Sequence, residues 1–136
     1  MRNIFRRSAA VAAFLVLAGV ALAQPPDWYA HREERFRGEQ WRAHMFAEIR
    51  EDLDHVQATT FSGRDEFRLV RTKQQLNELQ ADLAAHRYTE AKLDEVIGTM
   101  QRVVADNRMR PRERDILNED LQRLRDYRAH HENWMH

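Results

Sequence analysis

The chain has no cysteine among its 136 residues, and it has only four glycines and three prolines. Without cysteine there is no disulfide, no thiol nucleophile and no lipid-attachment site behind a leader. Three glycines follow residue 23, too few and too scattered for a phosphate-cradling loop. Serine is as scarce: Ser62 is the one serine beyond the leader, and no Gly-x-Ser-x-Gly elbow surrounds it. Charge of one sign is also missing, since 22 Lys and Arg balance 22 Asp and Glu. A nucleic-acid binder needs a one-signed surface, so no nucleic-acid partner is expected. The many acids are the ordinary solvated faces of amphipathic helices. With no motif that carries a mechanism, the chain is not expected to be an enzyme.

What is present begins with an address. Arg2, Arg6 and Arg7 precede the apolar run "AAVAAFLVLAGVALA", residues 9–23, which closes on Ala21-Leu22-Ala23. This is the charged, apolar and small-x-small order of a signal peptide cleaved after Ala23. The run is 15 residues long, and a bilayer span needs roughly 18 to 20. A retained anchor is the alternative, and no stable membrane span is expected after cleavage. Export without disulfides points to a periplasmic or secreted bacterial protein stabilised by packing alone. Three basic residues lie in the leader, so Gln24–His136 carries 19 basic and 22 acidic residues over 113 positions. That length suits one domain.

Beyond the leader the chain reads as all-α. Gln24-Pro25-Pro26-Asp27 is an extended lead-in. "TTFSGRDEF", residues 59–67, contains Ser62 and Asp65 three apart, resembling a capping box. Thr89 is a second N-cap, and Pro111 suits the first position of a last helix. Helices are expected at about 39–58, 64–86, 90–105 and 111–133. Their apolar stripes are Trp41, Met45, Ile49, Leu53 and Val56, then Leu69, Thr72, Leu76, Leu79 and Leu83. The third carries Leu93, Val96, Ile97, Met100, Val103 and Val104, and the fourth Ile116, Leu117, Leu121, Leu124 and Tyr127. One-sided helices bury their stripes on one another, so the expected fold is an antiparallel four-helix bundle, or helical hairpins, over residues 39–136. Phe67, Val70, Ala81 and Ala85 lie off the leucine seam of the second helix. They either cover the first helix, the favoured reading, or form a homodimer stripe.

Residues 24–38 form the odd segment. Trp28, Tyr29 and Phe36 sit among Arg32, Glu33, Glu34, Arg35 and Arg37. They read either as an extension of the first helix or as an aromatic and arginine-rich arm that grips a partner. Aromatic and arginine side chains are strong interface anchors, and Trp28, Tyr29, Arg32, Phe36 and Trp41 are the candidate partner-binding residues.

Metal binding is the competing chemistry. None of the seven histidines has a second histidine four residues away, the helical spacing that shares an ion. His44 and His55 are 11 residues apart, about 16 Å along a helix. An up-down-up-down bundle would nevertheless gather His31, His44, His86, His130, His131 and His136 at one pole, leaving His55 at the other. His86, His130, His131 and His136 are the candidate ligands there, for Zn²⁺ or Cu²⁺. In the closing "HHENWMH" stretch, residues 130–136, Trp134 and Met135 continue the apolar side of the last helix, with His131 between them and Tyr127. A further cluster, "RMRPRER" at residues 108–114, reads as a solvated loop or as a phosphate or lipid-headgroup site at a helix start.

A small exported all-α chain with Arg/Glu-rich amphipathic helices and a histidine-bearing tail resembles the Spy/CpxP group of periplasmic proteins. Leu76-Asn77-Glu78-Leu79-Gln80 is the nearest match to that group's Leu-Thr-x-x-Gln motif, with Asn in place of Thr. The resemblance implies a helical, often dimeric, ATP-independent chaperone or envelope-stress protein, with some members linked to metals. The expected function is therefore non-enzymatic binding of polypeptides or an envelope component. The alternative is a periplasmic metal buffer or sensor.

Gly98 falls opposite the third stripe, at ~100° per residue, and reads as a surface glycine. Gly98→Ala is expected to raise unfolding stability by up to about 1 kcal/mol, measured by denaturant titration; a lowered melting temperature would overturn that placement.

Overall fold

A computed structural model describes residues 27–134; residues 1–26, on which the expected signal peptide falls, and Met135 and His136 lie outside the described residues. Five α-helices form: α1 Trp28–Arg35, α2 Met45–Ala58, α3 Gly63–Ala84, α4 Glu90–Asp106 and α5 Pro111–His130. Single 3-10 turns occupy Gln40–His44 and His131–Asn133. Among the described residues there is no strand, and no helix is long and apolar enough to cross a membrane. The chain divides into two compact units, Met1–Phe36 and Arg37–His136.

In the first unit, α1 is a helix of its own. It stops at Phe36, and Gly38 follows with φ +70°, a left-handed conformation that costs glycine nothing. The segment expected to be helical from residue 39 is instead a 3-10 turn as far as His44, and α-helix begins only at Met45.

The second unit is a helical bundle. The large apolar side chains that are fully buried are those of the expected stripes: Ile49, Leu53 and Val56 on α2, Leu69, Leu76 and Leu79 on α3, Leu93, Val96, Met100 and Val103 on α4, and Leu117 and Leu124 on α5. Each large one contributes about 1.5–3 kcal/mol against exposure. Helix α2 packs on α3, α3 on α4, α4 on α5, and α5 also meets α2. Polar pairs across each contact give the direction. Lys73 reaches Asp54 at 2.5 Å and Arg50 reaches Asn77. Between α3 and α4, Lys92 pairs with Asp82 near one end, and the Arg108 amide meets Asp65 near the other. In both contacts the partner numbers fall on one helix as they rise on the next, so these neighbours run antiparallel.

Helix ends follow local chemistry, with one departure. Thr89 Oγ1 accepts from the Lys92 amide at 3.4 Å and Pro111 opens α5. Ser62 Oγ accepts from the Asp65 amide at 3.5 Å, which is half of the expected capping box. Asp65 does not return to Ser62. Its Oδ2 accepts from the Arg108 amide at 3.0 Å and its Oδ1 from Arg68 at 3.1 Å. The buried Asn107 completes a latch: its Nδ2 donates to the Asp65 carbonyl at 3.0 Å, and its Oδ1 accepts from Arg68 at 3.2 Å. Arg114 then donates to the Asn107 carbonyl at 2.9 Å. The start of α3, the end of α4 and the start of α5 are thereby tied at one point.

Helix α3 contacts both α2 and α4 through one broad face, so its third side looks outward. Phe67, Ala81 and Ala85 are exposed, so the favoured expectation that they cover the first helix is not met by these three. Val70 is half-buried, on the flank from which Glu66, Lys73 and Asn77 bond α2. A Cβ added at Gly98 would meet nothing within 4 Å.

Asn107→Ala removes both side-chain bonds of the latch, so the Asp65 carbonyl and Arg68 each lose one partner. It should lower the unfolding free energy by about 1–3 kcal/mol in a urea titration; an unchanged midpoint would mean the latch is idle.

Candidate functional site

The richest concentration of interface chemistry lies where α2 begins and α3 and α5 end. Three chain segments supply it. Trp41 and Arg42 come from the 3-10 turn, Met45 and Phe46 from the first turn of α2, and Tyr127, His131 and Trp134 from the end of α5 and its 3-10 tail. Tyr88 enters from the α3–α4 loop. The local sequence aims these residues in simple ways. Trp41 Nε1 donates to the Gly38 carbonyl at 3.0 Å, which fixes the indole beside the turn. Tyr127 lies in the last turn of α5, and the 3-10 turn that follows brings Trp134 back against it at 5.4 Å.

The rings meet edge to face. Trp134 lies 5.5 Å from Trp41 and 5.4 Å from Tyr127, and Tyr127 lies 5.3 Å from Phe46. Tyr88 approaches Tyr127 at 6.3 Å. His131 stacks on Tyr127 at 5.1 Å with planes 29° apart, its Nδ1 3.1 Å from the Tyr127 carbonyl. Such ring pairs contribute about 0.5–1.5 kcal/mol each beyond area burial. Arg42 lies 4.9 Å from the Trp134 ring and 5.8 Å from Trp41, and Arg123 lies 5.5 Å from Trp41. The Arg42 Nε is buried without a hydrogen-bond partner among the described residues, so ring faces take the place of an acceptor for that part of the cation. A cleft of about 540 Å³ opens beside this cluster, bounded by Arg42, Met45, Phe46, Leu83, Tyr127 and Trp134. Its size suits a small ligand or one or two side chains of a partner. Apolar walls with an arginine at the edge suit an apolar group that carries or neighbours a negative charge.

The histidine-bearing tail thus docks through Trp134 and His131. Helix α5 ends at His130, three residues before the expected end, and the chain turns back in a 3-10 turn. The other candidate ligands lie apart in role. His86 follows the end of α3 at φ +57°, where its amide bonds the Leu83 carbonyl at 3.2 Å and the Arg87 amide bonds the Asp82 carbonyl at 2.7 Å. That crossed pair is a Schellman ending, whose left-handed position glycine usually fills. His130 is exposed, and His136 lies outside the described residues. His55 is buried at the other end, its Nε2 3.3 Å from Glu113 Oε1. Among the described residues, no three His, Asp or Glu side chains are grouped to hold a metal ion.

Of the five candidate partner-binding residues, Trp41 belongs to the second unit and to this cluster. Trp28, Tyr29, Arg32 and Phe36 belong to the first unit and contact one another: Trp28 and Tyr29 meet edge to face at 5.3 Å, and Arg32 covers Phe36 at 4.9 Å. Sequence reasoning missed Phe46, Tyr88 and Arg42. The seven-residue Tyr127–Trp134 interval was a usable signal. Nothing local marked Phe46 and Tyr88, which come from other helices and loops.

Burial pushes the Tyr88 hydroxyl up to about 12, with the neighbouring Tyr127 adding to the effect. The Tyr127 hydroxyl is likewise raised by burial. A raised phenol stays protonated in the folded chain while the unfolded chain ionises near its ordinary pKa of 10. Above that value the unfolded state binds fewer protons, so stability falls from pH 10 to about 12 and is untouched below pH 9. The Tyr88 Oη is buried without a hydrogen-bond partner among the described residues. Tyr88→Phe should therefore be neutral or stabilising by up to about 1 kcal/mol at pH 7 and should flatten the alkaline decline. Urea titrations at pH 7 and pH 11 check both; a destabilised variant at pH 7 would show that the hydroxyl is satisfied.

No protein-family model, no curated protein and no solved structure matches the chain.

Proposed function

We propose that the protein is an exported, non-enzymatic helical protein that binds polypeptide chains, in a chaperone-like or envelope-stress role. The observation that carries this reading is the cleft of about 540 Å³ walled by Met45, Phe46, Leu83, Tyr127 and Trp134, with Arg42 at its edge. Aromatic rings and arginine are the side chains that dominate polypeptide interfaces. Methionine adapts to irregular apolar partners. In this reading residues 1–23 are a leader removed on export to the periplasm, and α2 to α5 act as an antiparallel four-helix bundle presenting the cleft at one end. The resemblance to the Spy/CpxP group supports the same reading through composition and helical architecture.

The chain recovered after export should suppress light scattering by a chemically unfolded client at near-stoichiometric ratio. Trp134→Ala combined with Leu83→Asp removes one wall and places a charge on another. That variant should weaken suppression by at least about tenfold, as loss of one interface anchor does, with its melting temperature recorded alongside. Absence of suppression by the native chain rejects the reading; full suppression by a folded cleft variant moves the binding surface elsewhere.

A further inference from the structure

The opposite end of the bundle carries a second surface, independent of the cleft. Phe61, in the α2–α3 loop, is 97% exposed, and Phe67, in the second turn of α3, is 65% exposed. The arginine-rich segment, residues 108–114, forms the neighbouring α4–α5 loop and the first turn of α5. The Asp65–Asn107 latch holds these two loops together. A cleft of about 590 Å³ lies between them, lined by Ala58, Phe61, Met109, Arg108 and Arg110. A second depression of about 510 Å³ beside it is bordered by Arg64, Arg68 and Arg108 with Asp65 and Asp106.

The charge here is unbalanced. Arg64, Arg108 and Arg110 are exposed, and their guanidinium groups have no ion-pair partner among the described residues. Of the nearby acids, Asp65 already accepts from Arg68 and from the Arg108 amide, and Glu66 accepts from Gln57. Glu66, whose Gln57 donor is neutral, Asp106 and Asp115 are the exposed carboxylates at this end, and of these only Asp106 borders the depressions beside Phe61. An exposed phenyl ring surrounded by unneutralised arginines calls for a partner that is both anionic and apolar. Polypeptide interfaces recess their anchors in grooves from which water is excluded. Phe61 borders its cleft but is 97% exposed rather than recessed in it, and the arginines are spread over two loops, which suits contact with an extended interface. Apolar insertion combined with attraction to anionic headgroups is how interfacial proteins hold a bilayer surface.

We propose that this end of the bundle docks on an anionic phospholipid surface. Phe61 enters the boundary between headgroups and acyl chains, and Arg64, Arg108 and Arg110 pair with lipid phosphates, which match the guanidinium fork. The protein would then hold its aromatic cleft away from the membrane, at the far end of the helices.

The absence of cysteine allows one label per molecule. Gly63, where an added Cβ meets nothing within 4 Å, takes a Gly63→Cys label beside the loop; Ala85→Cys, exposed at the far end of α3, is the control. An environment-sensitive fluorophore at position 63 should shift to the blue on phosphatidylglycerol vesicles and stay unchanged on phosphatidylcholine vesicles. The label at position 85 should stay unchanged on both. Phe61→Ser, and separately the triple change Arg64→Gln, Arg108→Gln, Arg110→Gln, should each weaken the response by about tenfold. Raising the salt should weaken it as well. The proposal is overturned by no shift at position 63, by equal shifts at both positions, or by a response that both variants leave intact. It is also overturned, in favour of a polypeptide partner, if an acidic amphipathic peptide shifts the position 63 label and phosphatidylglycerol does not.

Discussion

The bonds around Asn107 are the constraint on which the arrangement of helices depends. A buried amide cannot be left half-satisfied without cost, so Asn107 admits few positions for the start of α3. Once Asp65 has taken the Arg108 amide, the end of α4 and the start of α5 are fixed against α3. The apolar stripes alone would tolerate sliding, because leucine on leucine is equally favourable one turn along. Directional polar bonds remove that freedom. The salt bridges further along the helices agree with the same register, and each has at least one exposed partner, so solvent screening holds each to about 0–1 kcal/mol.

From that latch the two ends of the bundle acquire different characters. At one end, the loops that the latch joins leave phenylalanine and arginine outside. At the other, the chain folds its own aromatic residues inward: Trp134, carried by the 3-10 tail, closes against Trp41 and Tyr127. Arg42 and Arg123 flank those rings. Arg123 also pairs with the buried Asp120 at 2.8 Å and Arg42 with Glu39 at 3.5 Å, so the ring faces add to these ion pairs rather than replace them.

Most of the helix content was legible in the sequence because period and caps are local. Thr89 and Pro111 mark the starts of α4 and α5 for reasons contained within one turn. The errors fell where a residue answered to something distant. Asp65 looked like the return half of a capping box with Ser62, yet it serves the Arg108 amide 43 positions away. Phe67 looked like cover for the first helix, but α3 turns another face to α2. The cleft was half visible: Trp41 and the Tyr127–Trp134 interval pointed to it, whereas Phe46, Tyr88 and Arg42 join only through packing.

The sequence by itself determined that the described chain is helical, where the long helices begin, and which side of each is apolar. Hydrophobic period and capping act over a few residues and need no knowledge of the fold. Only the tertiary structure decided which helix ends meet, and therefore which arginines stand beside which aromatic rings. Those neighbours come from segments 47 to 92 positions apart, and a contact at that range is set by helix register, which no single stretch of sequence contains.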